Sequence, residues 1–88
     1  MSNNELKGKY IYVLTEVHSF KDYAYTEADL CVDSQDAFAK MHKAVLRMCR
    51  LCHRNHDEFE LHADNNCRTT MKAERFDVYW TVGRRRIK

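Results

Sequence analysis

Proline is absent from this 88-residue chain, and glycine occurs only as Gly8 and Gly83. Without proline- or glycine-rich stretches there is no internal linker, and no repeat divides the chain, so a single domain is expected. Two isolated glycines also leave no glycine-rich loop whose amides would converge on an oxyanion. No apolar run approaches the roughly 18–20 residues that cross a bilayer. The start, Met1 to Lys9, is polar and lacks the apolar segment of a secretory signal. These absences predict a cytoplasmic protein without membrane contact, in which Cys31, Cys49, Cys52 and Cys67 are reduced thiols rather than a disulfide framework.

What the chain does contain is a folding composition. Hydrophobic residues make up 44%, with five Tyr, four Phe and one Trp, which is too rich for a disordered segment. A domain of this size buries only about 60–65% of the surface its unfolded chain exposes. It has room for one sheet with one helix laid across it, but not for a deep cleft between lobes. Residues 1–8 read as a polar leader and 9–88 as the domain.

Periodicity places the elements. Lys9 to Val17 alternates as a strand, with Ile11, Val13, Thr15 and Val17 on one face and Tyr10, Tyr12, Leu14 and Glu16 on the other. His18 to Asp22 is polar enough for a loop. From Tyr23, a second strand is expected to turn Ala24, Thr26, Ala28, Leu30 and Val32 inward and to pair with the first as an antiparallel hairpin. Asp33 or Ser34 supplies a helix N-cap, Asp36 suits the positive end of the helix dipole, and Asn55 is a candidate left-handed stop. Beyond it Phe59, Leu61 and Ala63 alternate with Glu58, Glu60 and His62, and Asp64-Asn65-Asn66 signals a turn. Cys67, Thr69, Met71 and Ala73 share one face of the next strand. Phe76, Val78, Trp80 and Val82 share one face of the last, with Gly83 as a candidate bulge. The order is ββαβββ, and its simplest packing is an α+β domain: a single antiparallel sheet with one amphipathic helix across one face.

The segments Tyr10-Ile11-Tyr12-Val13-Leu14-Thr15 and Ser34-Gln35-Asp36-Ala37-Phe38, with the closing strands, resemble small ββαβββ proteins of unknown function from bacteria, phages and mobile elements. The resemblance implies a fold and no activity, so it carries no site residue over. In mobile elements such proteins often act by docking, as inhibitors or adaptors.

The helix, Ser34 to Asn55, carries the main functional signal. At about 100° per residue, Ala37, Phe38, Met41, Val45, Met48, Cys49 and Cys52 form an apolar stripe. Lys40, Lys43, Arg47, Arg50 and Arg54 form a second stripe that contains no acid. A solvated helix face ordinarily mixes signs, because like charges at i,i+4 repel. The one-signed stripe spans roughly 20 Å at 1.5 Å per residue and suits an anionic partner. Arg84, Arg85 and Arg86 would extend its field if the last strand ended nearby, and the tyrosines offer faces for stacking on unpaired bases.

Other constellations are weaker. Cys49 and Cys52 have the C-x₂-C spacing of zinc ligands, with His56 one turn on. The pair lies inside a helix and on its apolar stripe, so thiols packing as hydrophobes explain it too. A Cys52–His56 nucleophile sits at the wrong helix end, where the dipole opposes a thiolate. Glu58/Glu60 and Glu27/Asp29 lie side by side on strands rather than facing each other across a cleft. No catalytic residue and no cofactor are assigned.

The expected function is therefore a non-catalytic interaction module. Its partner would be an acidic or nucleic-acid-associated protein surface, met by Lys40, Lys43, Arg47, Arg50, Arg54 and Arg84 to Arg86. Direct nucleic-acid binding by the same face is the second reading. A module stabilised by zinc on Cys49, Cys52 and His56 is the third. Self-association, if any, is expected through a sheet edge.

Overall fold

The computed structural model describes residues 10–65 and 67–86. Among the described residues, five antiparallel strands form one open sheet and one helix crosses one of its faces. The elements are β1 (Tyr10–Phe20), β2 (Ala24–Cys31), α1 (Ser34–Arg54), β3 (Phe59–Asn65), β4 (Arg68–Ala73) and β5 (Phe76–Arg86). Strand order is β2-β1-β5-β4-β3, so β2 and β3 are the edges. The expected leader and Lys9, together with Asn66, Ile87 and Lys88, lie outside the described residues.

The first hairpin is longer than periodicity suggested. His18, Ser19 and Phe20, expected in a loop, continue β1 and pair with Tyr25, Ala24 and Phe76 respectively. The turn closes through the Phe20 amide donating to Tyr23 O at 2.8 Å, with the Phe20 and Tyr23 rings stacked at 4.7 Å. That aromatic pair adds local packing which the polar residues Lys21 and Asp22 conceal in the sequence.

Both helix ends are built from side chains and backbone placed by the sequence. Asp33 is the N-cap and accepts from the Asp36 amide at 2.7 Å, while Asp36 accepts from the Val32 amide at 3.2 Å. This reciprocal arrangement satisfies amides that have no partner inside the helix. At the far end the Asp57 amide donates to Cys52 O and the His56 amide to His53 O, the double bond of a Schellman stop. The left-handed residue is His56, at φ 56°, and not Asn55, which sits at φ −92°.

The helix lies on the face that bears Leu14, Cys31, Met71, Val78 and Trp80, and it buries Ala37, Met41, Met48 and Cys52 against them. The inward face expected for β5 is therefore correct, and Phe59, Leu61 and Ala63 register on this side of β3 opposite Ala73, Met71 and Thr69. The face expected to turn inward in β2 is reversed, and of the two faces of β1 the one that meets the helix is that of Leu14, Glu16 and His18. Val13 pairs with Leu30 on the side away from the helix, and Leu30 and Val32 are 67% and 77% exposed. A strand repeats every two residues, so its two faces stand or fall together. The helix selects the face carrying the larger side chains of the centre of the sheet, Leu14 beside Trp80 and Val78. Glu16 and His18 then follow Leu14 inward.

Gly83 forms no bulge, since β1 and β5 pair without a shift from Tyr10↔Arg86 to Phe20↔Phe76. The irregularity lies in β3 instead, between Ala63 and Asn65. Among the described residues, no helix is long and apolar enough to cross a membrane.

Candidate docking site on the helix flank

The basic stripe does not point straight out from the sheet. About 100° per residue from the buried line Ala37–Met48 puts Lys40, Arg47 and Lys43 on the flank toward β2. There the helix and sheet enclose a groove of about 740 Å³, lined by Leu14, Glu16, Glu27, Asp29, Lys40, Lys43, Arg47 and Arg50 among others. The groove is of mixed sign, with cations on its helix wall and carboxylates on its sheet wall.

Two cations of the stripe are held by acids: Arg47 by Glu16 of the sheet wall, and Lys40 by Asp29 of that wall and by Asp36, a helix acid on the flank that was expected to carry none. Lys40 Nζ lies 3.4 Å from Asp36 and 3.8 Å from Asp29, and it donates to Leu30 O at 3.2 Å. Partial desolvation pulls the Lys40 pKa down, but the Asp36 hydrogen bond and the charges of Asp29 and Asp36 outweigh it, and the pKa rises. Arg47 reaches Glu16 at 3.5 Å. Lys43, Arg50 and Arg54 are exposed, and none of them pairs with an acid among the described residues. They are the open cations of the stripe.

Beneath Arg47 lies a buried polar cluster that periodicity missed. Glu16 is 5% exposed and His18 6%. One Glu16 carboxylate oxygen accepts from the Trp80 indole N–H, and the other lies 3.1 Å from His18 Nε2. The His18 ring stacks on Tyr25 with centroids 4.6 Å apart. Among the described residues every buried side-chain N or O has a partner. A buried Trp indole needs an acceptor, and Glu16 is its cross-strand neighbour in β1. That pairing was the available signal, but it emerges only once the register is known. Because each of these groups already has a partner, the cluster is a tie between sheet and helix flank.

The remaining candidates are separated in space. Arg84 and Arg86 register with Tyr12 and Tyr10, at the sheet end where the helix begins. Arg50 and Arg54 lie on the last turns, roughly 24–30 Å along the helix axis from its start. Arg84 stacks over the Tyr10 ring at 4.3 Å. The tyrosines form no single platform, since Tyr25 covers His18, Tyr23 covers Phe20, and Tyr79 lies on the opposite sheet face.

The thiols divide in the same way. Cys31 and Cys52 are buried and Cys49 half-buried. Burial pushes all three upward in pKa, which keeps them protonated and poorly nucleophilic. His56 is committed to the helix stop. Among the described residues no group of three or more His, Cys, Asp or Glu side chains converges as a metal site.

On its other flank the helix borders an apolar groove of about 690 Å³, walled by Phe38, Val45, Leu46 and Cys49 and floored by Leu61 and Ala63. The two sides of α1 thus differ in kind, one charged and one apolar. No family model matches this chain, and comparison with curated proteins and with solved structures returns no relative.

Proposed function

We propose that this chain is a non-catalytic interaction module that docks an acidic protein surface on the β2-side flank of α1. Lys43, Arg50 and Arg54 carry the contact. The observation behind this reading is their state: exposed, of one sign, and without an acidic partner among the described residues, while Lys40 and Arg47 on the same stripe are already held. Holding two cations by internal acids and leaving three open is a division that simple solubility does not require.

The sheet wall favours a protein over a nucleic acid. Glu27 and Asp29 face the groove from β2, and a phosphate backbone laid along it would meet carboxylates as well as cations. A protein surface of both signs can match that pattern, which fixes register and steers encounter. Docking of this kind is also how the resembling phage and mobile-element proteins would act, as inhibitors or adaptors in the cytoplasm.

The test is capture from a native lysate on immobilised wild-type chain and on Lys43→Glu/Arg50→Glu/Arg54→Glu. Each captured protein is then purified and titrated alone. The reading expects a directly binding acidic protein that the triple reversal releases, with rescue by basic residues placed on that protein. If binding passes instead to duplex DNA or RNA, with log K against log salt sloping near about −3 for three neutralised phosphates, the partner is nucleic acid and the protein reading is wrong.

A further inference from the structure

Among the described residues β3 is an edge strand, and the ladder beside it fixes which of its backbone groups point outward. The Val82 amide donates to Cys67 O at 2.8 Å, in register with the β4–β5 pairs. Hydrogen-bonded pairs recur every second residue along an antiparallel ladder. Thr69 and Met71 of β4 therefore bond to β5, while Thr70 and Lys72 bond to their partners His62 and Glu60 in β3. Phe59, Leu61 and Ala63 are left with N–H and C=O groups directed out along the edge. Their side chains lie on the helix face, where Leu61 is 43% exposed at the floor of the apolar groove.

We infer that a second copy of this chain pairs with this edge, β3 against β3, about a two-fold axis at Leu61 perpendicular to the sheet. Two five-stranded sheets then join into one, with both helices on the same side. Phe59, Leu61 and Ala63 exchange about six backbone hydrogen bonds with the second copy. Charge selects both the occupant and the register. Glu60 and His62 stand on the face away from α1, 3.6 Å apart within one chain. An axis at Leu61 sets Glu60 opposite the second copy's His62, and His62 opposite the second copy's Glu60. These are non-hydrogen-bonded pairs, the closer kind, with Cβ atoms about 4.5–5.5 Å apart. Each carboxylate thus gains an imidazole N–H from the other copy. An axis at Glu60 would set that carboxylate against its own copy, and an axis at His62 would set Glu60 against Asp64.

On the helix face the same register matches large with small, Phe59 beside the second copy's Ala63, and packs Leu61 on its copy. One like-charged pair remains, Glu58 against Asp64. Glu58 precedes β3, and Asp64 lies at the irregularity between Ala63 and Asn65, so these acids end the paired span instead of lying inside it. The other edge, β2, suits a copy less well. Its residues on the helix face, Tyr25, Glu27, Asp29 and Cys31, include no base to oppose the two acids. The Phe20–Tyr23 bond sets Leu30 O on the outer side of β2, and Lys40 already donates to that oxygen. Pairing at β3 leaves the β2-side flank of each helix open, so it is independent of docking there.

Sedimentation equilibrium of the full chain tests this over a dilution series. The wild type is expected to sediment at twice the mass of one chain. His62→Glu sets a carboxylate against Glu60 of the other copy on both sides of the axis, and it should raise the dimer dissociation constant at least about tenfold. Glu60→His/His62→Glu exchanges the two groups and should restore the dimer. Both side chains are exposed, 59% for His62 and 77% for Glu60, so these variants should keep the wild-type circular dichroism spectrum. Leu61→Pro removes an outward N–H and leaves the bonds to β4 in place, so it should give a folded monomer. Thr26→Pro, at an outward position of β2, should leave the dimer intact. A monomeric wild type overturns the inference. So does a dimer indifferent to His62→Glu, one that the exchange fails to restore, or one lost on Thr26→Pro but kept on Leu61→Pro.

Discussion

Glu16 is the side chain whose removal the structure says should be felt most out of proportion to its size. It sits 5% exposed among apolar residues and serves three neighbours: Trp80 Nε1–H, His18 Nε2 and Arg47. In Glu16→Ala the Trp80 and His18 nitrogens lose their partner inside the core. An unsatisfied buried polar group costs about 1–3 kcal/mol. The vacated side-chain volume adds to that cost, so the total comes to about 3–5 kcal/mol. A domain of this length has about 4–13 kcal/mol of stability in all, so the variant should be partly unfolded at modest urea.

Glu16→Gln separates hydrogen bonding from charge. Its amide oxygen still accepts from Trp80, and His18 accepts the amide N–H in its other tautomer. What is lost is the ion pair with Arg47, whose side chain is 67% exposed, and an exposed pair contributes about 0.2–1 kcal/mol. Trp80→Phe removes the donor and leaves the Glu16 oxygen unsatisfied. Glu16→Leu/Trp80→Phe removes both ends of the bond and should cost less than Glu16→Leu and Trp80→Phe added together. Urea unfolding with a constant m-value measures all five. A Glu16→Ala loss below about 0.5 kcal/mol, the range of ordinary surface substitutions, or a Glu16→Gln variant as damaged as Glu16→Ala, would refute the reasoning.

The reversed face of β2 makes a second contrast: Met71→Ala, at a position 0% exposed, should lose about 2–5 kcal/mol in urea melts, whereas Leu30→Ala should leave the unfolding of dilute monomer within about 0.5 kcal/mol. His56→Gly should raise thermal stability by about 0.5–1 kcal/mol, because it relieves a β-carbon at φ 56°; a loss instead would mean that the His56 side chain has work beyond the helix stop. The buried thiols predict a one-sided pH response. Folding holds Cys31, Cys49 and Cys52 above the free thiol value of 9.0, so the unfolded chain gives up these protons first and stability falls as pH rises past about 9. Cys49→Ala/Cys52→Ala should flatten that fall in urea midpoints measured across alkaline pH, and an unchanged slope would show that other groups cause it.

The architecture was largely legible because its signals are local. Alternation at Phe76–Val82 and Cys67–Ala73, the acid-rich helix start at Asp33–Asp36 and the 3.6-residue stripe each depend on neighbours a few residues away. The choice of face in β1 and β2 was not legible. Both faces of β1 are apolar enough to be buried, and only the cross-strand register of Leu14 with its neighbours, reached across distant sequence, decides which one the helix covers. The Glu16–Trp80 bond hides for the same reason, its partners being 64 residues apart. The basic stripe was visible as a pattern, but its division into held and open cations was not. That division depends on Asp36, one helical turn before Lys40, and on Asp29 and Glu16, acids on strands that pass beneath the helix. It changes one expectation directly: reversing Arg47 places a second carboxylate beside Glu16, so Arg47 is the wrong position at which to test docking without disturbing the fold.

Docking through the open cations is tested most directly by titrating the purified partner with the wild type, with Lys43→Glu/Arg50→Glu/Arg54→Glu, and with Arg47→Gln, each checked by urea unfolding. The triple reversal should unfold within about 1 kcal/mol of the wild type, since Lys43→Glu and Arg50→Glu gain Arg47 as an opposite-charge neighbour while Arg54→Glu opposes the dipole in the last turn of the helix. Its affinity should fall at least about a hundredfold. Arg47→Gln should lose stability by less than about 1 kcal/mol and keep most of its affinity. Wild-type affinity in the triple reversal would contradict the account and leave the stripe as a solvated flank.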